Sequence, residues 1–229
     1  MTFQGKLYQN FVEDKRYLYL LNGLGNTLRI TVMALLIGLL IGTVIAVIRV
    51  TCDKTGKLKL LNLFAKVYLT VIRGTPVMVQ LLIIYYVIFA SSRADKWLIA
   101  GLAFGLNSGA YVAEIIRSGI MSIDAGQMEA GRSLGFSYLK TMIYIIAPQA
   151  FKNVLPALAN EFITLLKETS VSGYIGITDL TRGGDIIRSV TYEAFLPLIT
   201  VALIYLVMVM ALTAAIGKLE RRLRTNERK

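Results

Sequence analysis

The chain has 229 residues, a formal charge of +11, 55% hydrophobic residues and a mean hydropathy of +0.62. Only 17% of its residues are charged, below the roughly 25% of ordinary soluble domains. One cysteine, Cys52, and no histidine exclude a disulfide framework within the chain and any metal site built on those ligands. The basic residues border apolar runs, so the positive balance reads as membrane orientation and not as a nucleic-acid surface.

Residues 1–23 show no short apolar core followed by a small-residue cleavage site. A cleaved signal peptide is therefore not expected, and the first span is expected to serve as an uncleaved anchor. Residues 30–48 are uncharged between Arg29 and Arg49, long enough to cross a bilayer. Gly38 and Gly42 form a GxxxG pair inside this run. The pair is either a site of close helix approach or two glycines in a tolerant helix.

A basic loop, VTCDKTGKLK, follows at residues 50–59. The second span is expected over 61–90, one long helix kinked or irregular at RGTP, residues 73–76. The third runs from Trp97, an interfacial anchor, to residue 116, with Glu114 near its end. Residues 117–149 form a long polar connection that contains EAGRSLG, Glu129 to Gly135. After a short surface helix, a fourth span is expected over 151–168, and residues 169–192 read as a loop. Residues 194–217 are uncharged and make the fifth span, followed by the basic tail 218–229. Residues 24–217 thus form one transmembrane unit behind an N-terminal segment, 1–23. The fold class is an all-α membrane protein of five transmembrane helices.

Charge sets the expected orientation. The 50–59 loop, the 117–149 connection and the tail are all basic and fall on one side of a five-span chain. The positive-inside rule puts that side in the cytoplasm and the N-terminus outside. EAGRSLG then faces the cytoplasm. It is either a solvated connector or a short rigid helix, stopped by Gly135, on which a soluble partner docks.

Glu129, Ala130, Gly135, Ile145 and Pro148 fall at the spacing of the EAA loop, and the segment resembles that loop in ABC importer permeases. Gly131 stands where the pattern prefers Ala, and Ala147 where it prefers Leu; a weaker helix at Gly131 is the expected consequence. VIRGTPVMVQLLIIYY (71–86), GLNSGAYVAEIIRSGIMSIDAGQMEAGRSLGFS (105–137) and APQAFKNVLPALANEFITLLKETSV (147–171) resemble the polar amino-acid branch of the same family. The resemblance covers roughly residues 22–217. It implies a type I importer fold and a bacterial inner-membrane location. It also implies a coupling helix, Glu129, Ala130, Gly131, Arg132, Ser133, Leu134 and Gly135, seated in a cytoplasmic ATPase. The implied partners are that ATPase, a second permease subunit, identical or related, and an amino-acid-binding protein outside.

The chain has no GxxxxGK[ST] phosphate loop; the lookalike GFSYLKT, residues 135–141, lacks the second glycine. ATP and Mg are therefore expected on the separate ATPase, with no cofactor and no catalysis in this chain. Polar residues inside spans are costly and point to function. The candidate substrate pathway comprises Glu161 and Asn160, Glu114 and Tyr111, Asn107 and Gln80. Glu161 either pairs with a substrate ammonium or basic side chain, or with a cation on a neighbouring helix. For Glu114, and for Arg73 beside RGTP, snorkelling near a helix end is the competing reading. A transporter or channel independent of ATP is the alternative function. The coupling loop and the lack of a clear internal repeat argue against it.

Overall fold

The computed structural model describes residues 2–225. Helix α1, Phe3–Leu7, continues into a π turn, Tyr8–Val12, and a short 3-10 turn, Glu13–Lys15. The chain reverses there because Asp14 and Lys15 take positive φ, 52° and 54°. Arg16 locks the reversal, donating to Gln9 O, to Glu13 at 3.0 Å and to Asp14 at 2.8 Å.

Helix α2, Tyr17–Thr55, is 39 residues long. At 1.5 Å per residue it extends about 58 Å, well beyond a bilayer core. The span expected at 30–48 is thus only the middle of this helix. Arg29 does not end it, because arginine is a good helix former; its guanidinium lies 5.1 Å over the Trp97 ring, an arrangement that tolerates a cation beside apolar surface. The helix stops at Gly56, φ +68°, whose N–H donates to Cys52 O at 2.9 Å.

Helix α3, Lys59–Gly74, and helix α4, Val77–Ile83, continued by a π turn over Ile84–Ile88, are bent by 110°. The expected kink at RGTP is a full break: Thr75 and Pro76 are extended and Pro76 has no N–H to give. Gln80 bridges the break. Its Nε2 lies 2.7 Å from Ile72 O and 3.0 Å from Thr75 O, satisfying carbonyls that the broken helix leaves open.

Helix α5, Lys96–Met121, is the central element, with its apolar core shared with α2, α4 and the segment after α8. Helix α6, Ala125–Ser133, and helix α7, Tyr138–Thr141, fill the polar connection. A π turn over Met142–Ile146 joins α7 to α8, Ala147–Glu168. The fourth span therefore begins earlier than residue 151, in a helical run that continues to Ile175.

Residues 169–192 are not a loop. They hold a 3-10 turn, Thr169–Ile175, and helix α9, Leu180–Thr191. Asp179 starts α9, accepting from Arg182 N at 2.8 Å, and also takes Ser172 Oγ and Gly173 N, each at 2.7 Å. Burial raises the Asp179 carboxyl above its ordinary range against the pull of these bonds. Helix α10, Phe195–Thr225, closes the bundle; residues 226–229 of the basic tail lie outside the described residues. Four described helical stretches are long and apolar enough to cross a membrane, five when the bent α3–α4 pair counts as one span.

Candidate functional site

Close packing of α2 on α5 fixes the buried carboxylate. A side chain at Gly38 would sit 3.0 Å from Ser108 Cβ, and one at Gly42 would sit 2.5 Å from Val112 Cγ1. The GxxxG pair is therefore a site of close helix approach. The approach buries Ser108, whose Oγ donates to Glu161 Oε1 across from α8 at 2.8 Å. The partner of Glu161 is a hydroxyl, so its charge is not neutralised by a neighbouring cation in this contact.

Glu161 opens onto a cavity of about 540 Å³. Tyr111, Glu114 and Ser118 of α5, Asn153 of α8 and Arg73 of α3 line it as well. The Arg73 guanidinium lies 5.8 Å over the Tyr111 ring, and Glu114 pairs with Arg49 at 3.6 Å. One lined space thus presents carboxylates, a guanidinium, hydroxyls and an amide to a solute. These are complementary to both ends of a zwitterion.

Three of the six residues read from the sequence, Glu161, Glu114 and Tyr111, line this space. The other three serve the helices. Asn107 Nδ2 donates to Gln80 Oε1 at 2.9 Å, and Gln80 holds the break before α4. Asn160 is exposed and donates to Pro156 O at 3.1 Å, the carbonyl one turn back. Sequence reasoning did not select Ser108, Ser118 or Asn153. Asn153 and Glu161 are eight residues apart, two turns of one helix face, as are Tyr111 and Ser118 at seven. That spacing is the signal that could have found them.

The second candidate lies on α6. Asp124 caps its start, accepting from Gly126 N at 2.8 Å. Its end is a Schellman closure: Phe136 N donates to Gly131 O at 3.1 Å and Gly135 N to Arg132 O at 3.0 Å, with Gly135 at φ +84°. Glu129, Ala130, Arg132, Ser133, Leu134 and Gly135 are exposed, Leu134 to 77%. Gly131 alone of this stretch is buried. A methyl there would lie 2.5 Å from Thr141 Cγ2 and 2.9 Å from Ile145 Cδ1. Gly131 is therefore a packing requirement, beyond the loss of helix propensity expected from the sequence. It lets α6 rest on the root of the fourth span while the rest of the knob faces outward.

The family model for binding-protein-dependent transport system inner membrane components matches residues 34–225. The chain belongs to this family. It is 40% identical over 211 residues to the arginine transport system permease protein ArtQ of Bacillus subtilis (strain 168), covering 91% of this chain and 94% of that one. It is 38% identical over 208 residues to the glutamine transport system permease protein GlnP of Escherichia coli (strain K12), covering 90% and 93%. A solved amino acid ABC transporter with histidines superposes at a TM-score of 0.82 and 44% identity, over 92% of this chain and 97% of that chain. The inward-facing MetNI methionine ABC transporter superposes at 0.76 with 22% identity, over 90% and 97%, and supports the fold. The chain is an inner-membrane permease subunit and not itself an enzyme; the ATPase of such a transporter is a separate subunit.

Proposed function

We propose that the chain forms the transmembrane path of an ATP-driven importer for polar amino acids. The observation that carries the reading is the cavity that brings Glu161, Glu114, Tyr111 and Arg73 together. Glu161 receives the substrate ammonium, and Arg73, from α3, lines the same cavity for the α-carboxylate. A solute with both ends held is positioned without becoming a permanent ligand, because Arg73 is exposed and, among the described residues, engaged only with a ring face. The permeases named for arginine and glutamine, and the transporter solved with histidines, support this substrate class.

Helix α6 seats in a groove of the cytoplasmic ATPase, and its root on Thr141 and Ile145 passes the movement to α8 and so to Glu161. The N-terminus faces outward and the C-terminus the cytoplasm. A second permease subunit, identical or related, closes the path about a two-fold axis. An external binding protein delivers the substrate. The test is reconstitution of the chain with its ATPase and binding protein, followed by uptake of a panel of amino acids. ATP-independent uptake by the chain alone overturns the reading.

A further inference from the structure

Beside the Glu161 cavity lies a second space of about 450 Å³, between α2, α3 and α5. Arg49, Lys66, Thr70 and Arg73 line it, and Glu114 is its one carboxylate among the described residues. Arg73 and Glu114 line both spaces. The two spaces thus meet at Arg73 and Glu114, and in the second three cations face one anion.

That charge is unbalanced by construction. Helix α3 has three faces. Leu60, Phe64, Val67 and Val71 are exposed and apolar. Asn62, Ala65 and Leu69 are buried. Lys66, Thr70 and Arg73 recur at spacings of four and three along the remaining stripe. Across the chamber, the Arg49 side chain is 13% exposed, its contact with Glu114 is a loose 3.6 Å, and its buried Nε has no hydrogen-bond partner among the described residues. A guanidinium left partly unsatisfied beside a polar space is costly unless an acceptor visits it.

We infer that this chamber is an exit-side station for the α-carboxylate of the transported amino acid, held by Arg49, Lys66 and Arg73. The inference rests on the pathway reading above. In it, the carboxylate that Arg73 meets in the Glu161 cavity passes on to Arg49 and Lys66 of this chamber as the ammonium leaves Glu161. An oxyanion suits three donors of this kind, with Thr70 as a neutral fourth. A station of this kind also binds amino acid arriving from the basic, cytoplasmic end. Accumulated product then occupies the path and slows further import.

The experiment uses the complete complex in liposomes, with the ATPase and ATP inside and the binding protein outside. A panel first identifies the L-amino acid imported fastest. The lumen is then preloaded with that amino acid or with its decarboxylated amine, and initial uptake is measured relative to each variant's own rate with an empty lumen. Lumenal amino acid slows uptake, and the amine does not. Lys66→Met raises the half-inhibiting concentration about threefold, the worth of one solvated ion pair. Lys66→Arg retains inhibition, and Lys57→Ala, on the exposed turn before α3, leaves it unchanged. The inference is overturned if lumenal amino acid has no effect, if the amine inhibits equally, or if Lys66→Met leaves half-inhibition where it was. Failure of the pathway reading is separate: uptake untouched by Glu161→Gln overturns that reading, whatever Lys66 does. A complex that imports no amino acid overturns both.

Discussion

Gly131→Ala sets two effects of opposite sign against each other. In an exposed helix, replacing Gly by Ala gains about 1 kcal/mol of helix propensity. At this position the new methyl lies 2.5 Å from Thr141 Cγ2 and 2.9 Å from Ile145 Cδ1. The Ile145 terminus can swing aside. Thr141 cannot do so cheaply, because it is buried, β-branched and bonded through Oγ1 to Ser137 O at 3.1 Å. Overpacking of this kind costs about 3 kcal/mol at the upper end of its range. The net loss is about 2 kcal/mol, which makes opening of α6 from its seat roughly 30-fold more frequent. Hydrogen exchange of the α6 amides in the membrane-embedded complex should show that acceleration, and co-purification of the ATPase should weaken in parallel. Thr141→Ala removes both Cγ2 and Oγ1, so the double variant should recover most of the loss. Exchange in Gly131→Ala that is equal to or slower than wild type would refute the packing argument and return Gly131 to a simple propensity effect.

Glu161→Gln should lower uptake about tenfold, the worth of one charge-assisted hydrogen bond, while leaving assembly and basal ATP hydrolysis intact; loss of the folded complex on gel filtration counts against the pathway role. Gly135→Ala forces a side chain into φ +84° and should cost about 1 kcal/mol, seen as fewer transported molecules per ATP hydrolysed with substrate affinity unchanged. The Glu193 carboxyl is held below its ordinary value by the Lys6 ammonium, which donates to it at 2.8 Å. Its stabilising share is therefore complete above the unfolded carboxylate value of about 4.3 and is lost as pH falls through the lower folded value. Acidification through that window should speed exchange of the amides over residues 3–12, and Lys6→Met should remove the pH dependence; an unchanged profile in the variant contradicts the linkage.

Hydropathy and composition determined that this chain crosses a membrane, because apolar runs such as 194–217 have no other stable environment. The spacing around Glu129 and Gly135 was equally legible: a helix end that needs a positive φ is a local demand, met by glycine at one position. Local signals also overreached. Charges at Arg29 and Arg49 bounded the first span in the sequence, yet α2 runs on past both to its stop at Gly56, because arginine favours a helix; Trp97 and Glu114 lie beside the two cations in space. The glycines and mixed charges of 169–192 read as a loop, but Asp179, buried among donors brought from both sides of it, starts a helix there.

The site divides in the same way. That buried carboxylates and amides inside spans are special could be read from their cost alone. Which of them share a space could not. Asn107 and Gln80 are as polar and as deep as Glu161, but they face a broken helix whose carbonyls need donors. Glu161 faces a cavity, and its donor, Ser108, lies buried where Gly38 lets α2 approach α5. A linear chain states the cost of each polar residue. Only the packing of helices distant in sequence decides whether that cost is met by the protein itself or left for a solute to meet.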